Sequence, residues 1–206
     1  MKVLLINGSP HPAGCTHTAL RLTARQLTAA GIETEFFWPG AAPIGGCTGC
    51  GGCKPGGRCI YDDAVNRLLD KAAEADGFVF GSPVHYAGIS GNLKGLLDRA
   101  FSAGSRAFTG KPAALVVSAR RAGTTAALDE LMKYPTINQM PVVSAGYWPM
   151  VHGNTPEEVL QDAEGCAIAA QLGDNLAWLL RCIQLGKENG LERPAPAPRP
   201  RTNFIR

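Results

Sequence analysis

Four short apolar runs restrict what this chain can become: KVLLING (2–8), GFVFGSP (77–83), PAALVVSA (112–119) and MPVVSAG (140–146). None alternates polar and apolar residues as a strand with one wet face does. Nearly continuous runs of this length suit strands covered on both sides. IETEFFW (32–38) reads as a further strand, second in chain order. Between the runs the apolar period changes to that of a helix. Leu20, Ala24 and Leu27 repeat within 16–30, with Gly31 as the stop. Val65, Leu68, Leu69 and Ala72 repeat in a helix that Asp62 can cap and that runs to Glu74. Leu93, Leu96, Leu97 and Ala100 mark a helix over 92–102. A short helix is expected at 124–133, and a long final one at about 156–187, loosened at Gly165 and Gly173. Strand and helix in alternation, with strands buried on both faces, predict an α/β fold: a doubly wound five-stranded parallel sheet with helices on both faces.

At 206 residues the chain suits one domain, expected over 1–190, followed by an extended, Pro-rich, basic tail over 191–206. A net charge of +3 without a Lys/Arg stripe argues against a nucleic-acid partner. There is no apolar stretch of membrane-spanning length and no signal-peptide pattern, so the expectation is a soluble, cytoplasmic protein. Thiols stay reduced in that compartment, and clustered cysteines there read as ligands or redox groups.

In parallel sheets ligands sit beyond the carboxyl ends of the strands, where the strand order reverses. The loop after the first strand, NGSPHPAGCTHTAL (7–20), is rich in glycine and hydroxyls and leads into a helix. A helix start offers free N–H donors to an anion, and Ser9, Thr16 and Thr18 add hydroxyls, with His17 beside them. The loop lacks G-x-x-x-x-G-K-[ST] and G-x-G-x-x-G, so it suits one monophosphate. An ordinary turn and N-cap is the competing reading. The loop after the third strand, GSPVHYAGISGNLKGLLDR (81–99), faces it. There Pro83 stiffens the turn, Val84, His85 and Tyr86 can pack on a flat heterocycle, and Gly88 and Gly91 allow close approach. Together the two loops offer what FMN needs. Ser118, Arg120 and Arg121 in SARRAG (118–123), and Tyr147 and Trp148 in SAGYWP (144–149), are expected at the same crevice. For each of these, packing on loop neighbours is an equal alternative.

Four of the seven cysteines fall in one glycine-rich stretch, GGCTGCGGCKPGGRCIYDD (45–63). Cys47, Cys50, Cys53 and Cys59 are spaced C-x2-C-x2-C-x5-C. Zinc sites usually pair two C-x2-C units across a longer gap. Three cysteines in succession at this spacing are closer to a bacterial-type [4Fe–4S] run, with Cys59 as fourth ligand. Free thiols or a facultative disulfide remain the third reading, with Lys54 and Arg58 close by. Cys15 reads as a packed side chain, and Cys166 and Cys182 as core.

With these motifs in place, the sequence resembles the NADPH-dependent FMN reductase and iron–sulfur flavoprotein group of flavodoxin-like proteins. GSPHPAGCTHTAL is similar to their phosphate loop, and GSPVHYAGISGNLKGLLDR to their isoalloxazine loop. The cysteine stretch with its DD, GYWPMVHG and the closing TNFIR are similar as well. The resemblance implies strand order 2-1-3-4-5. It implies FMN held through Ser9, Thr16 and Thr18 at the phosphate and Pro83, Val84, His85 and Tyr86 at the ring. Many relatives carry a basic residue after the Gly-Ser-Pro, whereas this chain has HPAGCTH. The function it implies is an FMN-dependent oxidoreductase passing electrons from NADH or NADPH to a small acceptor. The alternative is an iron–sulfur electron carrier served by a ferredoxin-like donor. His85 and Tyr86 are the candidates to donate a proton. A homodimer or homotetramer is expected, since a loop-built flavin rim is often completed by a neighbour.

Overall fold

The computed structural model describes residues 1–195, 200 and 202, and among them are six strands and six α-helices. They are β1 (Lys2–Asn7), α1 (Cys15–Ala29), β2 (Glu33–Phe37), α2 (Ala64–Glu74), β3 (Gly77–His85) and β4 (Gly88–Ile89). After these come α3 (Gly91–Gly104), β5 (Ala113–Ala119), α4 (Thr124–Ile137), β6 (Met150–His152), α5 (Pro156–Val159) and α6 (Ala163–Glu188). The sheet runs β2-β1-β3-β5-β6, all parallel, and β4 hangs from β3 as an antiparallel partner. Without that two-residue appendage the order is the expected one, reversing between β1 and β3.

Each central strand feeds two cores because its side chains alternate across the sheet. Leu4, Ile6, Phe78, Phe80, Leu115 and Val117 pack against α2, α3 and α4. Val3, Leu5, Val79, Ala114 and Val116 face the other way, onto Leu20 and Leu27 of α1 and Leu172 and Leu176 of α6. This is why the sequence shows runs without alternation. Truncating any one of these leucines to alanine would cost about 2–5 kcal/mol.

Several expectations need correction. The run 140–146 makes only an isolated bridge, Ala113 to Val142, and the edge strand is β6 at 150–152. The run looked strand-like because Met140 and Val143 are buried. Burial there comes from packing at the edge of β5, and the chain bulges away over 144–149 before it pairs again. Asp63, not Asp62, caps α2, its carboxylate accepting from Val65 N at 3.0 Å. The final helix is broken over 160–162 and restarts under Asp162, which accepts from Gly165 N. Cys182 is exposed and Cys166 half-buried, so neither is a core residue. The expected extended tail lies largely outside the described residues. No helix among the described residues is long and apolar enough to cross a membrane.

Candidate functional site

The loop after β1 is held by its own polar groups. Asn7 is buried and works in both directions. Its amide nitrogen donates to His11 O (3.3 Å) and Pro12 O (3.2 Å), and its oxygen accepts from Ser9 N (3.1 Å). Ser9 Oγ accepts from His11 N at 3.1 Å, and Ser9 O from the Trp38 indole at 2.9 Å. Ser90 ties this loop to the start of α3, donating to Gly8 O at 2.5 Å while accepting from Leu93 N at 3.2 Å. Its own N–H donates to Ser82 Oγ at 3.0 Å. A Cβ on Gly8 would stand 2.7 Å from Leu93 Cβ and 2.9 Å from Gly81 O, so this close approach needs glycine.

The loop delivers the start of α1 with its donors open. Gly14 caps α1 without a side chain, and no acidic residue lies in the first turn. By contrast α2, α3, α5 and α6 are each capped by a side-chain oxygen. Free N–H groups and the positive end of the helix dipole at α1 suit an anion. Thr16, 1% exposed, shares a hydroxyl hydrogen bond of 2.8 Å with Ser118 Oγ of β5. Two hydroxyls sharing one bond use one proton between them, which leaves the other to donate outward.

The opposite wall comes from β3. The strand ends in a hairpin in which His85 opposes Gly88, so Tyr86 and Ala87 form a two-residue turn. Their φ values are 48° and 61°, the positive angles that a type I′ turn requires and that normally fall to Asn and Gly. Glu130 of α4 anchors this hairpin by accepting from Ile89 N at 2.9 Å. The Tyr86 side chain at the tip is fully exposed, at a relative exposure of 108%.

Between these walls lies an open cleft of about 260 Å³ whose lining includes Ser9, Thr16, Pro83, Val84, His85 and Ser118. Arg120 and Cys15 also reach it, as do Gly153 and Asn154 beyond β6, which sequence reasoning did not single out. Burial raises the Cys15 thiol's pKa, and its sulfur donates to Gly153 O at 3.6 Å. Other candidates stand elsewhere. Thr18 turns its hydroxyl back to Gly14 O at 3.3 Å. His17 packs on the Phe36 ring with centroids 4.9 Å apart, and burial, with Arg21 second, lowers its pKa. Tyr86 and Gly88 belong to the rim and not the wall. Tyr147 and Trp148 do not face this crevice. They line a separate apolar pocket with Leu115, Leu128 and Met132 at the sheet edge, because their segment bulges beside β5 short of its carboxyl end.

The four clustered cysteines come together in a second place. Cys47, Cys50, Cys53 and Cys59 line one small pocket with Tyr61 and Arg99. All four are free thiols. Among the described residues no three or more His, Cys, Asp or Glu side chains converge as ligands of a metal ion, so the thiols meet as the lining of a shared pocket. The donor set, four sulfurs around one cavity with a cation beside them, has the chemistry of an iron–sulfur site. The pKa of Cys50 is lowered by the Gly52 N–H and the Thr48 hydroxyl.

One face of α3 carries this loop. Asn92 holds it at both ends of its amide, accepting from Ile44 N (3.2 Å) and donating to Ala42 O (3.0 Å). A Cβ on Gly95 would lie 2.5 Å from Ile44 O. Arg99 donates to Cys59 Sγ, and Cys53 Sγ donates to Ser102 O at 3.7 Å. Positions 92, 95, 99 and 102 form one stripe at helical spacing, flanking the apolar stripe of the core. Asn66 of α2 closes the loop, accepting from Cys59 N and donating to Cys59 O, both at 2.9 Å.

The chain is similar to known proteins in sequence and in fold. The family of NADPH-dependent FMN reductases matches residues 1–155. An iron–sulfur flavoprotein of Methanocaldococcus jannaschii is 33% identical over 192 residues, covering 89% of this chain and 100% of the relative. Among solved structures, a flavone reductase superposes with a TM-score of 0.69 at 20% identity, covering 89% of this chain and 64% of that one. A flavodoxin from the domain Archaea superposes with a TM-score of 0.58 at 15% identity, covering 88% of this chain and 99% of its own. The fold is therefore flavodoxin-like.

Proposed function

Because the chain belongs to the NADPH-dependent FMN reductase family, we propose that it is an FMN-dependent NAD(P)H oxidoreductase reducing a small oxidised acceptor such as a quinone, nitro compound, flavin or metal ion. The observation that carries this reading is the uncapped start of α1 facing the β3 hairpin across the point where strand order reverses. The N–H groups of the first turn, the Ser9 hydroxyl and the free proton of the Thr16–Ser118 pair would hold the phosphate. Pro83, Val84 and His85 would support one side of the ring, and Arg120 would compensate negative charge at the cleft mouth. When bound, FMN supplies hydride acceptance and onward transfer of one or two electrons. The chain's part is to bind, to orient and to keep the ring edge accessible. His85, exposed in the lining of the cleft, would pass a proton to a reduced acceptor. Exposed Tyr86 at the tip of its hairpin would complete the flavin rim or meet a neighbouring copy in a homodimer or homotetramer.

A second reading is supported by the cysteine pocket: an iron–sulfur flavoprotein in which electrons enter one at a time from a ferredoxin-like donor. Anaerobically purified protein tests both. NADPH bleaching the visible flavin band within seconds, as the first reading expects, supports it. Flavin that stays oxidised with NADPH and NADH alike, in a protein carrying about four irons per chain, overturns it in favour of the second. A protein that binds no FMN sinks both.

A further inference from the structure

Arg99 is 4% exposed and contributes nothing to the flavin cleft. A buried guanidinium needs partners for its planar fork of donors. Here the fork is divided. Nη1 and Nη2 donate to the Asp63 carboxylate at 2.6 and 3.1 Å. Nε and Nη2 donate to Cys59 Sγ at 3.3 and 3.2 Å. The Tyr61 ring covers the guanidinium at 5.0 Å. Asp63 would suffice to neutralise the charge, so the two N–H groups aimed at sulfur call for a separate account. A neutral thiol is a weak acceptor, whereas a thiolate matches both the charge and the donors.

We propose that Arg99 is the positioning residue of a cluster held in the cysteine pocket: it orients Cys59 as thiolate ligand, and its charge, tempered by Asp63, favours the cluster's reduced form. The proposal rests on reading the four cysteines as [4Fe–4S] ligands. One-electron reduction of such a cluster breaks no protein bond and adds one negative charge. A cation hydrogen-bonded to a ligand sulfur therefore stabilises the reduced state, and a nearby carboxylate opposes it. Hydrogen bonds to cluster sulfurs and local net charge are recognised determinants of potential. The arrangement makes opposite predictions for two neighbouring residues, which simple packing does not.

The test uses full-length protein reconstituted anaerobically with ferrous iron and sulfide, and titrated with dithionite under redox mediators. Arg99→Gln should lower the cluster's midpoint by roughly tenfold in the reduction equilibrium, about 59 mV. It should also lose iron to a chelator at least tenfold faster. Asp63→Asn keeps a helix-capping side chain and should shift the midpoint the opposite way. Arg99→Lys keeps the charge but not the fork, so its potential should stay near the parent's while iron loss is still accelerated. FMN absorbance and the thermal midpoint show that each variant is folded, and if Arg99→Gln does not fold, the other two decide. Parent-like potentials and iron retention in all folded variants overturn the role of Arg99 alone. A parent that takes up no iron while holding FMN overturns the cluster reading and this proposal with it.

Discussion

The two candidate loops, 7–18 after β1 and 39–61 after β2, differ in what holds them. The first is fixed from within by Asn7 and Ser9 and from both sides by Trp38, Gly81 and Ser90. Its ties are amides, hydroxyls and backbone, and its core members are buried. The second rests chiefly on one stripe of α3, with Asn66 and an ion pair at its end, and Cys47 and Cys50 are exposed. A binding loop whose ligand interacts through backbone N–H groups must have its backbone set beforehand. A loop whose ligand bonds to side-chain sulfur can complete its geometry as the ligand enters.

The sharpest test of this division is Cys50→Ser. Iron should be lost completely from reconstituted protein, while FMN content and the unfolding midpoint stay at parent values. Co-loss of FMN would show that the loops are not separable. Paired glycine substitutions come next. Gly8→Ala forces Leu93 or Gly81 to move and should cost about 1–3 kcal/mol in denaturant unfolding, with loss of FMN. Gly49→Ala, at φ 68° but with open space around it, should strain its own turn by about 1–2 kcal/mol and leave FMN affinity unchanged. Thr16→Val should weaken FMN roughly tenfold and cost about 1 kcal/mol, measured by flavin fluorescence and chemical unfolding, because it removes the bond to Ser118. Replacing Tyr86–Ala87 with Asn–Gly should raise stability by about 1 kcal/mol, since both φ values are positive. A fall in turnover with that gain would show that the strained tip is retained for function.

Acid should separate the loops by pH window, with the smallest effects. Burial opposes the charge on Asp63, but the hydrogen bond from Arg99, followed by that from Val65 N, outweighs it, and the pKa falls below the ordinary 3.8. A depressed carboxylate stabilises the fold above its unfolded value and loses that contribution as pH drops through the folded one. The cysteine loop should therefore loosen only below about pH 3.8. His17, at the start of α1, is depressed from 6.5. The unfolded chain takes up that proton first, so stability near α1 should decline from about pH 6.5 downward until His17 itself protonates. Hydrogen exchange followed from pH 7 to 3 reads both windows, and a single common transition would refute the separation.

The sheet was legible because buried strands must be apolar on both faces, as Val3 to Ile6 and Phe78 to Phe80 are, whereas its order came from the family resemblance and not from the pattern. The edge was not. PVVS has a strand's composition but pairs at one position, while Met150–His152 pairs through backbone groups whose side chains say little. Ser9, Thr16, Pro83, Val84, His85 and Ser118 could be read as a cleft from loop position alone. Asn7 and Ser90 escaped notice because their work is to bond distant backbone, and a one-dimensional pattern does not show which carbonyl stands nearby. The stripe Asn92, Gly95, Arg99 and Ser102 was hidden by its apolar neighbours, which alone satisfied the helical period.

Helix α3 has Ser90 tied to the loop after β1 at its start and Arg99 tied to Cys59 nine positions later. At about 1.5 Å of rise per residue this is a rod of roughly 13–14 Å. A gap spanned by a rigid helix is fixed by residue count and not by the softness of either loop. Inserting one residue between Ser90 and Arg99 would lengthen the rod by about 1.5 Å and swing one end by about 100°. In such a mutant both loops would keep their sequences and lose their alignment. The spacing of the two loops is thus a counted quantity, heritable as a number of codons and intolerant of insertions in a way that the glycine-rich loop itself is not.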